Sequence, residues 1–251
     1  MRYGFTFSRI DDHADGVRVS FTDGTFGDYA LVIGADGVYS ATRAATFPDA
    51  PKPRYIGQMV WRAVPPRPAH LPTVAMWMGQ GVKVGVNYVS AKQSYLFLTE
   101  DRPTNDLVPS ATQVSALGAP LDRFPSPTIR SVAADLSEAQ QIVYRPLEQR
   151  LMARSWYRGR VVLIGDAVHA TTPHLAAGAM IGMEDAVVLA DALAAAPLPD
   201  ALEVFQNRRW DRCRMVVENS GRLAEIELGH GTLDEHRRVM GQAMASLAQP
   251  I

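Results

Sequence analysis

The residues best equipped for chemistry lie in one run. Gly159-Arg-Val-Val-Leu-Ile-Gly-Asp-Ala-Val-His-Ala-Thr-Thr-Pro173 is followed by Gly178-Ala-Met-Ile-Gly-Met-Glu-Asp185. Val161 to Ile164 are apolar without a break, the pattern of a strand covered on both faces. Gly165 permits a sharp turn, so Asp166 falls just beyond the carboxyl end of that strand, where open α/β sheets bind ligands. Pro173 fixes its own φ and restricts Thr172, which gives the loop a shape. Gly178 opens a predicted helix whose apolar face is Ile181, Val187, Val188, Leu189 and Leu193. Its first N–H groups and partial positive charge suit an electron-rich or anionic ring held over the turn. The simpler alternative is that Asp166 only caps a backbone N–H of its own turn.

A second run has a related design. Leu31-Val-Ile-Gly-Ala-Asp36-Gly37-Val-Tyr-Ser40-Ala-Thr-Arg43 reads as strand, turn and helix start. Arg43 could grip a phosphate bidentately, or it could be a solvated helix residue. Together the two runs resemble the internal flavin-contacting signatures of the FAD-dependent aromatic hydroxylases, the p-hydroxybenzoate hydroxylase-like monooxygenases. The order of elements between and after them extends the resemblance over essentially the whole chain. The Trp61-Arg62 strand and the Thr171-Thr-Pro173-His174 loop resemble the salicylate and urate hydroxylase-like branch.

The resemblance implies roles residue by residue. Asp166, on a loop shaped by Gly165 and Pro173, would accept a ribityl hydroxyl. Beyond Gly178, the backbone N–H groups of Ala179 and Met180 would face the pyrimidine edge of the flavin, where negative charge gathers on reduction. Asp36 and Arg43 would line the channel beside the pyrophosphate, near the approach of NAD(P)H. The implied cofactors are FAD and NAD(P)H, and the implied reaction moves one oxygen atom from O2 to a small aromatic or heteroaromatic ring. No side chain is thereby marked as acid or base.

The family opens with a Gly-x-Gly-x-x-Gly turn that binds the ADP half of FAD, and this chain contains no such pattern. The chain therefore reads as starting within a domain; a fragment, a mis-assigned start codon and a true short form all fit. Two expectations follow. One is an FAD-dependent monooxygenase that is impaired or inactive alone. The other is a non-catalytic module that binds a small aromatic ligand, pairs as a homodimer, or pairs with a chain supplying the missing unit.

Composition bounds the rest. The chain has 251 residues, 47% of them hydrophobic and 20% charged, with a net charge of −1. That charge gives no reason to expect nucleic acid or an anionic membrane as partner. Cys213 stands alone, which excludes an internal disulfide and fits a reducing, cytoplasmic setting. No segment reads as a signal peptide or a membrane span. His169 and His174 match no metal-ligand spacing, so no metal is expected. His13, His70, His230 and His236 read as surface residues, and the Arg-rich stretch around Cys213 reads as a solvated helical face.

The elements that must position these motifs give a mixed α/β chain. It is predicted to hold an incomplete doubly wound FAD-binding domain, an inserted antiparallel sheet domain for substrate, and C-terminal helices. Residues 1–50 read as a β-meander plus the Asp-Gly motif. Its strands start at Tyr3 and Val17, and a third runs over Tyr29 to Ile33. Residues 51–145 read as the substrate sheet, with strands over 55–64, 74–79, 82–89 and 94–99, and a short helix over 110–117 ended by Gly118. Trp61, Met76, Met78, Tyr88, Tyr95 and Phe97 are expected as an apolar set on that sheet. Residues 146–200 hold the Gly-Asp motif and its helix, and residues 201–251 two helices broken at Gly229-His-Gly231.

Overall fold

The computed structural model describes residues 3–69, 74–139 and 141–251; the reading of His70 lies outside them. The first elements are β1 (Phe7–His13), β2 (Gly16–Phe21), β3 (Phe26–Tyr29), β4 (Val32–Gly34) and α1 (Ala41–Thr46). Next come β5 (Arg54–Ala63), β6 (Ala75–Gly79), β7 (Val82–Tyr88), β8 (Ser94–Asp101), α2 (Gln113–Leu121), α3 (Pro127–Ala134) and β9 (Ile142–Gln149). The chain ends with β10 (Tyr157–Arg158), β11 (Val161–Leu163), α4 (Asp166–His169), α5 (Gly178–Ala195), α6 (Leu198–Glu227) and α7 (Leu233–Leu247). Two compact units result: Met1–Arg54 with Glu148–Ile251, and Tyr55–Leu147.

In the first unit, β1, β2 and β3 form an antiparallel meander. The expected third strand over Tyr29 to Ile33 is in fact two. Phe26–Tyr29 stays with β2, whereas Val32–Gly34 turns away to pair in parallel with β11, Val161 opposite Val32 and Leu163 opposite Gly34. One segment cannot serve both sheets, and the chain breaks at Ala30-Leu31. Tyr3 and Phe5 likewise precede β1 rather than belonging to it. The second sheet has the order β10-β11-β4, and every residue of β11 is buried, as an unbroken apolar run requires. Around it Trp156, Ile181, Val188, Leu189, Phe205 and Val216 close the core. α7 starts on a capping box: Thr232 accepts the Glu235 N–H at 3.2 Å.

The second unit is one five-stranded sheet of order β6-β7-β8-β5-β9 with helices on one face. Met59, Trp61, Val84, Val86, Leu96 and Leu98 point at Leu117, Leu121, Ile129 and Val132. Trp61 stacks on Tyr144, ring centroids 4.0 Å apart, and its indole N–H donates to Glu100 at 2.8 Å. The opposite face follows from the register: Met76 opposes Gly85, Gly85 opposes Phe97, and Phe97 opposes Arg62. The expected apolar set is therefore divided. Met76, Met78, Tyr95 and Phe97 share this second face, whereas Trp61 lies in the core and Tyr88, in phase with Val84 and Val86, is on the helices' side. α2 also runs through Gly118 instead of ending there, because Leu117 and Leu121, four apart, are both buried.

Candidate functional site

The site is built on the carboxyl end of β11. Gly165 adopts φ 60° and ψ −143°, a region open to glycine and strained for other residues. Its N–H donates to Asp185 Oδ2 at 2.8 Å, and its backbone lies against Gly182 of α5. Asp166 follows at the start of α4, exposed, its carboxylate without a hydrogen-bond partner among the described residues. Beneath the turn, Asp185 also meets His169 Nε2 at 2.6 Å and accepts from Arg209 Nε at 2.8 Å. Arg209 further donates to Ile181 O at 3.2 Å and pairs with Glu184 at 2.8 Å.

Electrostatics follow from this burial. Desolvation alone would discharge His169, but its hydrogen bond to Asp185 overrides that and pushes its pKa up to about 10. Burial likewise acts against the Asp185 carboxylate, and the His169 hydrogen bond and charge hold it below the usual range. His169, Asp185 and Cys213 bring one ligand atom each within 4.8 Å of one another. Arg209 already supplies a cation to that trio, donating to Asp185 and to the Cys213 sulfur at 3.5 Å.

Past α4 the chain passes Pro173, exposed, and His174, whose Nδ1 lies 2.9 Å from Thr172 Oγ1 and whose Nε2 lies 3.3 Å from Glu227 Oε2. α5 then begins at Gly178 with Ala177 as its cap residue and no capping side chain. Among the described residues, the N–H groups of Gly178, Ala179 and Met180 therefore have neither an intrahelical nor a side-chain acceptor, and Ala179 is exposed. A carboxylate on a rigid turn and an uncapped helix start are the two polar features this end of β11 presents.

The other motif is tied to the first. Asp36 accepts from Ser40 Oγ at 2.5 Å, Thr42 N at 2.8 Å and Thr42 Oγ1 at 3.0 Å. Burial opposes its charge, yet these hydrogen bonds hold its carboxyl below the usual range. Arg43 is buried and donates to Val38 O and Ala167 O, each at 2.9 Å. Arg150, also buried, donates to Asp166 O at 3.0 Å and to the same Ala167 O at 2.8 Å. Burial, with Arg43 beside it, pushes Arg150 down to about 10, and its Nε and Nη1 have no acceptor among the described residues. Two guanidinium groups thus clamp the peptide that follows Asp166.

Comparison with known proteins decides the family. Residues 6–220 match the model described as an FAD binding domain. The chain belongs to the FAD-dependent aromatic hydroxylases. It is 35% identical over 237 residues to the 2-heptyl-3-hydroxy-4(1H)-quinolone synthase of Pseudomonas aeruginosa, covering 90% of this chain and 60% of that one. It is 31% identical over 240 residues to the FAD-dependent urate hydroxylase of Klebsiella oxytoca, covering 91% and 60%. Among solved structures, Klebsiella pneumoniae HpxO complexed with FAD and uric acid matches with a TM-score of 0.77 and 29% identity, covering 96% of this chain and 63% of that one. The chain thus spans about three-fifths of the length of these relatives.

Two sequence expectations need correction. Val187 is 51% exposed, and its place on the buried face of α5 goes to Asp185, in line with Ile181, Val188 and Ala192. The Arg-rich stretch is not a solvated face throughout. Arg209 and Cys213 are buried, in the same helical stripe as Phe205 and Val216. A carboxylate and a guanidinium, each at apolar helical spacing, were the available signal that two helices share a buried ion pair. Arg150 had no such signal, because it follows a strand and its acceptors are backbone.

Proposed function

We propose that the first unit holds the riboflavin half of FAD, and that the chain belongs to an NAD(P)H-dependent monooxygenase of small aromatic or heteroaromatic compounds. The observation that carries this reading is the unpartnered Asp166 carboxylate beside the uncapped first turn of α5, on a turn fixed by Asp185. Asp166 would accept a hydroxyl of the ribityl chain, and Ala179 and Met180 would donate backbone N–H groups to the ring. Gly165, Pro173 and Gly178 give the backbone its path. Asp36 and Arg43 shape the channel beside the pyrophosphate by fixing the loop at Val38 to the peptide at Ala167. When bound, the flavin supplies the electron transfer and oxygen activation; the protein orients it and stabilises its charge.

The ADP half has no Gly-x-Gly-x-x-Gly cradle in this chain, so affinity and turnover are reduced when the chain acts alone. A cytoplasmic setting accords with its single cysteine. A second reading has its own observation. β4 is an edge strand in the order β10-β11-β4, and its Ile33 is 47% exposed, so another chain could add a strand there and complete the site. Supplying FAD and following NADH or NADPH oxidation with aromatic compounds separates the two. Substrate-stimulated oxidation with a hydroxylated product supports the enzyme. Flavin binding without oxidation favours the partner-dependent module, and no flavin binding contradicts the half-site itself.

A further inference from the structure

A cleft of about 370 Å³ opens in the first unit. Two segments build it, residues 47–51 after α1, and residues 152–155 with Tyr157 and Arg158 ahead of β11. Pro48 and Pro51 fix their own φ, which stiffens the first of these walls. By register Arg158 opposes Val161, so the cleft sits at the amino end of β11, whereas Asp166 lies past its carboxyl end. Its volume falls in the range of sites for small organic molecules.

Two arginines of the lining are oriented but not neutralised. Arg158 donates from Nη1 to Thr46 O at 2.9 Å and lies over the Phe47 ring, 5.5 Å from its centroid. Arg154 donates from Nη1 to Asn207 Oδ1 at 2.9 Å and lies over Trp210, 5.3 Å from that ring's centroid. One hydrogen bond and one ring face thus hold each guanidinium, so little freedom is lost when it grips a ligand. Among the described residues, Nε and Nη2 of both have no acceptor, and neither arginine pairs with a carboxylate. Arg209, Arg212 and Arg222 of α6, by contrast, all meet aspartate or glutamate. The carboxylate of the cleft lining is Asp49, which has no cation partner among the described residues. Phe47, Tyr157 and Met152 supply flat and apolar surface.

We propose that this cleft binds a phosphomonoester of a flat ring, with Arg154 and Arg158 taking the phosphate and the ring lying against Phe47, Tyr157 and Met152. A phosphomonoester carries about −1.5 to −2 charge at neutral pH and three acceptor oxygens, enough for two guanidinium forks. A carboxylate is satisfied by one. Aromatic and thioether surfaces favour a flat ring over a sugar or a bare ion. Asp49 adds selection against a bare ion, because a lining of both signs favours a ligand whose charge is confined to one end. The site is independent of the flavin half-site, which lies at the opposite end of β11.

The test is calorimetric titration of the whole chain with phenyl phosphate, phenol, benzoate and inorganic phosphate. Phenyl phosphate should bind at least about tenfold more tightly than each of the others, the difference expected of one charge-assisted contact or more. Arg154→Gln and Arg158→Gln should each weaken phenyl phosphate by about tenfold or more and leave the melting temperature unchanged, because both residues are exposed. Asp49→Asn should tighten inorganic phosphate. Repeating the titration with riboflavin present should return the same affinity for phenyl phosphate. No binding of phenyl phosphate by the folded chain, binding no tighter than phenol, benzoate or inorganic phosphate, or affinity that survives both arginine substitutions overturns the inference. Competition with riboflavin also overturns it, since the phosphate would then occupy the flavin half-site.

Discussion

His169 and Asp185 stand 2.6 Å apart with both side chains fully buried, and the other contacts of that carboxylate are the Gly165 N–H, Arg209 and, at 3.7 Å, the Cys213 thiol. The turn that presents Asp166 is therefore held from below by a helix-borne carboxylate, which is itself held by two cations. Local loop residues set the path of the turn; α5 and α6 set its position.

This arrangement gives stability a defined pH dependence. The folded pKa of His169, about 10, lies above its unfolded value of about 6.5. Its contribution is complete below about pH 6.5 and is lost as pH rises toward 10. Asp185 is depressed in the folded state, so its contribution is present above its unfolded value and fades as pH falls below it. The unfolding free energy from urea titrations between pH 6 and 9.5 should fall with pH, by at most about 1.4 kcal/mol per pH unit from this group. His169→Gln should be less stable at pH 6 and show a flatter profile; an unchanged slope in that variant would contradict the assignment.

Two of the three buried arginines, Arg209 and Arg150, should respond differently. Arg209→Met removes one of the two cations on Asp185, leaving His169, and one of the two on Glu184, leaving Arg212, and should cost about 3 kcal/mol. Arg150 has no carboxylate within ion-pair distance among the described residues, and Arg43 lies beside it. Arg150→Met should cost less than about 1 kcal/mol, or stabilise, because the desolvated charge disappears with its hydrogen bonds. Equal losses in urea unfolding would show that the Asp166 charge, which acts against the repulsion from Arg43, compensates Arg150 in full.

Gly165→Ala isolates backbone conformation. A Cβ there would meet Gly182 Cα at 3.8 Å, ordinary contact, so the penalty comes from the glycine-only φ and ψ. We expect a loss of about 1–3 kcal/mol together with weakened flavin binding. Full stability in the alanine variant would show that the turn can relax without harm.

Much of this was legible in the residues. The apolar run Val161 to Ile164, the Gly165-Asp166 turn and the helix from Gly178 follow from period, glycine and proline alone. The break between β3 and β4 was not, because Tyr29 to Ile33 looks like one strand until its two partners are known. Nor was the division of the sheet aromatics, since alternation places Trp61 and Phe97 on opposite faces but does not say which one the helices cover. The buried Asp185–Arg209 pair was half legible. Each residue interrupts an apolar stripe, but the pairing joins positions 24 apart in sequence on two helices.

The most direct test of the account is a fluorescence titration of the purified chain with riboflavin and FAD, repeated with Asp166→Ala. Both flavins should bind with similar affinity, since the riboflavin half is the part this chain can hold, and Asp166→Ala should weaken both by about tenfold or more. Unchanged binding in Asp166→Ala, or no binding of either flavin by the folded wild-type chain, would contradict it.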